Sequence, residues 1–177
     1  MMFPDKFQTA RLVLRPITPD DRDAIFDTYA QNAEVTRYLT WRPHRSRSDT
    51  ADYIAHCRAT SGKDTRTYVV TSREDGTVMG AFDLRRPAPH RLGFGYALGR
   101  AWWGQGLMTE ALTEVVRWGI NRKRIFRISA VCDVENAASA RVMEKAGLIR
   151  EGLLRRFLIH PNISDEPRDC FLYARVR

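Results

Sequence analysis

Two glycines one residue apart, Gly104 and Gly106, separate a strand-like run from a helix-like one, and a loop of that kind suits one chemistry, the holding of an anion. Before it, Leu92 to Leu98 alternates large and small residues; after it, Leu107, Ala111, Leu112, Val115, Gly119 and Ile120 recur at helical spacing. The first turn of a helix leaves about four main-chain N–H groups without partners and carries partial positive charge, so a phosphate placed there is stabilised. Glycine has no Cβ and lets main chain approach such a ligand closely. A lone Gly-x-Gly also fits a plain turn leading into a helix.

A second cluster lies about thirty residues on. Asp133 to Leu148 holds a capping-type Asn136, a short helical run and a stop at Gly147. Asn136 and Ser139 stand three apart on one helical face, with Met143 a turn further along it. Asn136 serves there either as a helix cap or as a ligand contact.

Together these segments resemble motifs A and B of the GNAT superfamily, the acetyl-CoA-dependent N-acetyltransferases. Trp103-Gly104-x-Gly106-x-x-Thr109-Glu110-Ala111, then Asn136-x-x-Ser139 and Lys145-Ala146-Gly147, look most like the branch containing the ribosomal-protein N-terminal acetyltransferases. The resemblance spans nearly the whole chain. It implies one domain over residues 1–177 with a mixed α/β (α+β) fold: a mostly antiparallel, twisted sheet of about seven strands, helices on both faces, and a splayed parallel pair at the centre.

The resemblance also implies acetyl-CoA as co-substrate, lying in the gap between the splayed strands. The main chain of Tyr96, Ala97 and Leu98 would pair with pantetheine, and the N–H groups of Trp103, Gly104, Gln105, Gly106, Leu107 and Met108 would hold the pyrophosphate. Asn136 would contact coenzyme A. Many members carry a tyrosine seven residues after this asparagine to protonate the departing thiolate; here that place is Met143, and Ser139 takes the role in the branch resembled. Glu110, an acid in the first helical turn, reads as structural.

The implied reaction is direct attack of a neutral primary amine, on a protein N-terminus or a small molecule, at the thioester carbonyl. An α-amine with pKa near 8 needs little help to lose its proton. Where many relatives have an acid before Gly-Tyr this chain has Gly93, and Ala101 stands where the phosphate loop often begins with Gln or Arg. The base stays open among Asp83, His90, His160 and a water chain. A GNAT fold that binds or senses acyl-CoA without turnover is the alternative, and a homodimer is compatible with either.

The 177 residues suit a single core, and 44% apolar with 28% charged residues argues against wholesale disorder. The formal charge of +8 favours anionic ligands, but the arginines are scattered and no nucleic-acid recognition pattern accompanies them. Three cysteines without paired spacing suggest neither a disulfide framework nor a metal site, and point to a reducing compartment. With no apolar signal core and no run of about 20 apolar residues, the chain reads as cytoplasmic and free of membrane spans.

The elements that must position these residues follow from patterning. Ala10 to Ile17 reads as an opening strand, and Thr18-Pro19-Asp20-Asp21 as a helix start whose apolar face is Ala24, Ile25, Tyr29 and Ala30. Glu34 to His44 is aromatic and basic without clear period and precedes a helix spanning about Ser48 to Thr60; the resemblance implies a lid over the acceptor side, and packing of Tyr38, Leu39 and Trp41 between the helix pair and the sheet is the other reading. Thr67–Thr71 and Val78–Leu84, joined through Asp75-Gly76, read as a hairpin that continues to Leu98 as an antiparallel meander. The strand from Arg127 is then a parallel neighbour through a right-handed crossover, and two closing strands flank Pro161 to Asp165.

Overall fold

The structure is a computed structural model describing residues 3–62 and 64–177; of the span expected as one domain, Met1, Met2 and Lys63 lie outside the described residues. The β-rich runs become β1 (Phe7–Gln8), β2 (Leu12–Pro16), β3 (Thr65–Ser72), β4 (Val78–Ala88), β5 (Arg91–Leu98), β6 (Arg127–Asp133), β7 (Ile149–Ile159) and β8 (Pro167–Val176). They form one mixed sheet in the order β1-β2-β3-β4-β5-β6-β8-β7. Every neighbouring pair is antiparallel except β5 and β6.

The sheet has eight strands where patterning indicates about seven. The addition is β1, two residues long and too short to show alternation. Tertiary packing holds it: the Phe7 ring sits edge-on to Tyr68 and Trp118, with centroids 5.4 and 5.5 Å away. The meander of β3, β4 and β5 forms as expected, with Gly76 at φ +76° in the first turn.

The helical segments are α1 (Arg22–Ile25), α2 (Ala33–Thr36), α3 (Arg47–Thr60), α4 (Leu107–Ile120) and α5 (Ala137–Lys145). A 3-10 turn at Pro19–Asp21 leads into α1, and a π turn at Phe26–Ala30 follows it. Thus the helix expected after Thr18 is in three pieces, although Ile25, Tyr29 and Ala30 are buried as its apolar face requires. Asp21 closes the start by accepting from Thr18 N at 2.8 Å and from Arg15 through both guanidinium nitrogens.

Helices cover both faces. Leu112 and Val115 of α4 and Met143 of α5 pack with Phe82, Leu92 and Ile128 on one side, while Ile25 and Ile54 pack with Val69 and Ala81 on the other. No helix among the described residues is long and apolar enough to cross a membrane.

The feature that positions the site is where β5 and β6 stop pairing. Their register covers only Arg91↔Arg127, Leu92↔Ile128 and Gly93↔Ser129. Beyond it β5 stays on β4 as far as Leu98, and β6 stays on β8 as far as Asp133, so the two strands part with their outer ladders intact.

Strand alternation then fixes which groups face the gap. Gly99 N donates to Met79 O at 2.8 Å, which makes Gly80↔Leu98 a non-hydrogen-bonded pair and turns the N–H and C=O of Ala97 toward β4. Those of Tyr96 and Leu98 therefore point into the opening. On the other wall, Val134 N donates to Asp169 O at 3.2 Å, and the same parity turns the main chain of Val131 inward.

Gly80 keeps β4 close to this wall. A Cβ added there would lie 2.2 Å from the Ala97 carbonyl oxygen, and main chain has no rotamer by which to yield. Gly80→Ala is expected to destabilise the fold by about 2–4 kcal/mol, in the range for overpacked or strained sites. Thermal melting checks this beside Gly152→Ala, whose added Cβ meets nothing within 4 Å and should leave the midpoint nearly unchanged.

Candidate functional site

The gap opens into a cavity of about 890 Å³ that reaches both faces of the sheet. Tyr96, Met108, Ser139 and Met143 line it on the side of α4 and α5, whereas Tyr38, Leu39, Leu158 and His160 line it from the opposite side. The expected site residues Tyr96, Ala97, Leu98, Trp103, Gly104, Gly106, Leu107, Met108, Asn136 and Ser139 all border this space. Gln105 does not line it; its amide instead donates to Ala101 O at 3.0 Å, closing the loop on itself.

The glycine loop has the conformation its residues allow. Gly104 and Gly106 both have φ +75°, a region side chains other than glycine adopt with strain, and Gly106 is the N-cap of α4. Among the described residues no side chain caps this helix, so its first N–H groups look into the cavity mouth.

Glu110 acts as structural cement. It accepts from Thr9 Oγ1 at 2.5 Å, Arg11 N at 2.9 Å and Arg11 Nε at 2.7 Å, and Arg11 in turn donates to Gln105 O at 3.1 Å. Burial opposes its ionisation, but these bonds from Thr9 and Arg11 outweigh it and hold the carboxyl below its ordinary range. The loop is thereby tied to β2. Trp103 anchors its other end, with the indole N–H donating to Leu98 O at 2.6 Å.

Asn136 fills the helix-cap role, since its Oδ1 accepts from Ser139 N at 3.1 Å. Among the described residues its amide NH2 has no partner, which leaves it for a second contact. Ser139 Oγ lies 2.9 Å from the Tyr96 phenol oxygen, with either atom able to donate. Sequence reading assigned Tyr96 a main-chain contact and missed this side chain. Burial pushes its phenol pKa up, against a smaller opposing effect of the Ser139 bond, so the pair is neutral and can give a proton. A strand-parity argument from buried Phe94 could have put Tyr96 on this face, where the two rings stack at 6.2 Å, but not beside Ser139.

Cys132 also borders the cavity, and burial pushes its thiol up to about 12. A thiol held in that form is a poor nucleophile.

The open base candidates separate by position. Asp83 accepts from Thr67 Oγ1 at 2.8 Å and pairs with Arg85 at 3.2 Å, and His90 is exposed in the turn between β4 and β5. Only His160 of these three lines the cavity, where it is buried. In the segment from Glu34 to His44, Trp41 stacks on Tyr53 at 6.2 Å, while Tyr38 and Leu39 line the cavity.

A parallel pair thus parts beside the start of a glycine-led helix. Residues 11–149 match the family described as Acetyltransferase (GNAT) domain, and the chain belongs to that family of acyltransferases. It is 30% identical over 99% of its length to the uncharacterised N-acetyltransferase YoaA of Bacillus subtilis, 98% of which is covered. It is 28% identical to the [ribosomal protein uS5]-alanine N-acetyltransferase of Escherichia coli, over 96% of this chain and 89% of that one. Among solved structures, Mycobacterium smegmatis RimJ in complex with CoA-disulfide shares the fold, with a TM-score of 0.85 at 22% identity, covering 98% of this chain and 88% of that chain.

Proposed function

We propose that this single domain transfers the acetyl group of acetyl-CoA to a primary amine by direct attack on the thioester, the acceptor being a protein N-terminus or a small amine. The observation that carries this reading is the opening between β5 and β6, with an uncapped, glycine-led helix at its mouth and the Tyr96–Ser139 hydroxyl pair on its wall.

The residues present fit the co-substrate. The main-chain groups of Tyr96 and the N–H of Leu98 are turned to pair with an amide-bearing arm, as an added strand would, while the Leu98 carbonyl already accepts from the Trp103 indole. Ala97 contributes side-chain wall only, because its main chain belongs to the β4 ladder. The N–H groups of Gly104, Gly106, Leu107 and Met108 would hold the pyrophosphate, the Trp103 N–H being already donated to Arg100 O at 3.3 Å and Gln105 lying off the cavity, and the Asn136 amide would donate to the arm.

When bound, the thioester supplies an activated acetyl carbonyl. As the new C–N bond forms and the C–S bond breaks, the electron pair passes to sulfur, and the Tyr96–Ser139 pair supplies the proton that makes it a thiol. The relation to the uS5-alanine enzyme supports a protein N-terminus as acceptor, and Leu39 and Leu158 beside the Tyr38 ring suit an uncharged first side chain.

Calorimetry with acetyl-CoA, followed by thiol release with alanine- and serine-starting peptides beside a panel of small amines, tests the reading. Micromolar to sub-millimolar binding with peptide-dependent thiol release is expected. Absence of binding at millimolar acetyl-CoA overturns it, and binding without release for any amine identifies an acyl-CoA sensor instead.

A further inference from the structure

We propose that His160 is the general base that takes the proton from the acceptor amine, with Asp133 stabilising the charge the imidazole gains. The inference rests on amine acetylation as read above.

His160 is 2% exposed on the cavity wall, yet neither ring nitrogen has a hydrogen-bond partner among the described residues. A histidine kept for packing alone normally has at least one nitrogen satisfied, because orphaned buried polar atoms are destabilising. Here the missing partner is one that an incoming amine, or a water ahead of it, would supply.

A carboxylate stands close to the ring. Nε2 lies 3.7 Å from Asp133 Oδ2, beyond hydrogen-bond range but close enough for attraction in a poorly solvated site. Arg168 Nε at 2.6 Å and Glu135 N at 2.9 Å keep Asp133 itself ionised. Tyr38 covers the ring edge-on at a centroid distance of 6.3 Å. Two residues along, the Asn162 amide donates to Thr36 O at 2.7 Å and Trp41 O at 2.8 Å, pinning the loop of His160 to the segment that roofs the cavity.

The placement also divides the two proton transfers. Cys132 packs beneath α4, so Asp133, the next residue on β6, points to the opposite face of the sheet, and His160 with it. Tyr96 and Ser139 stand on the α4 and α5 side. An amine arriving from the His160 side forms its bond to the carbonyl through the gap, gives its proton to an imidazole nitrogen, and the sulfur leaves on the other side with a proton from the hydroxyl pair. One proton is taken, one is given, and no further reactant is needed.

His160→Gln and His160→Ala test the assignment, with thiol release from acetyl-CoA and alanine- and serine-starting peptides as the activity and calorimetric acetyl-CoA affinity as the control. Both variants are expected to bind acetyl-CoA within about twofold of wild type while kcat/KM falls about a hundredfold. Added imidazole should restore part of the His160→Ala activity, in proportion to its neutral fraction as pH is varied; a packing role would not respond in this way. Variants that acetylate within about threefold of wild type, that also lose acetyl-CoA binding, or that imidazole never rescues, overturn the proposal. A wild-type protein that binds acetyl-CoA but releases no thiol overturns the underlying acetyltransfer reading instead, and the base falls with it.

Discussion

Gly106→Val is expected to weaken acetyl-CoA binding by about ten- to a hundredfold in a calorimetric titration. Gly106 has φ +75° and ψ 4°, a left-handed conformation that costs an L-residue about 1–2 kcal/mol and a β-branched one more. Each 1.4 kcal/mol is about a tenfold change in affinity. Rather than hold that strain, the loop should rotate, carrying the N–H groups of Leu107 and Met108 off the phosphate position. Crowding is not the cause, since a Cβ at Gly106 would meet only the Arg11 guanidinium at 3.8 Å, an ordinary contact.

Gly104→Ala offers a milder comparison, having the same φ and nothing within 4 Å of the added atom. It should weaken binding by about threefold to tenfold for the same conformational reason. An unchanged affinity in both variants would show that the glycine loop is only a turn and that the coenzyme is held elsewhere.

The second large effect is on turnover. Tyr96→Phe and Ser139→Ala should each lower kcat by about a hundredfold, within the range for a lost general acid, while acetyl-CoA affinity stays within about twofold. Phe at position 96 keeps the stack on Phe94 and Phe82, so the cavity wall should survive. Because the two hydroxyls share one hydrogen bond, the double variant should fall little further than either single one.

The pH dependence has a definite sign. Burial raises the Tyr96 pKa, so the phenol remains a donor as pH rises past the value near 10 of a free tyrosine. An alkaline loss of kcat belonging to this donor should therefore lie above that value and be absent from Tyr96→Phe. Single variants that keep full kcat, or a double variant whose loss is the product of the two, would dissociate the hydroxyl pair from the departing sulfur.

The share of this site legible in the sequence can be followed residue by residue. Gly104, Gly106 and the period from Leu107 to Ile120 announce a loop and a helix, because dihedral freedom and amphipathic spacing are local properties. Asn136 reads as a cap or a ligand contact, and the cap, being local, is the part the sequence makes legible. Glu110 reads as structural, but its partners, Thr9 and Arg11, stand far back in the chain and no local pattern names them. Tyr96 is hidden in another way. Its alternation shows a strand, but the choice between main-chain and side-chain use depends on the helix that comes to lie over it. β1 and the π turn at Phe26–Ala30 have no signature because packing alone holds them in place.

The sequence by itself determined the longer elements, the parallel crossover from β5 to β6, the glycine-led turn and the motif pair that marks the family. Tertiary structure decided where β5 and β6 let go of each other, which main-chain groups that exposes, and that Tyr96 meets Ser139 while His160 meets Asp133 across the sheet. The division has a physical origin: helical period, capping and glycine dihedrals act within a few residues, whereas the face and depth of a side chain depend on strand order and register, which only the assembled sheet defines.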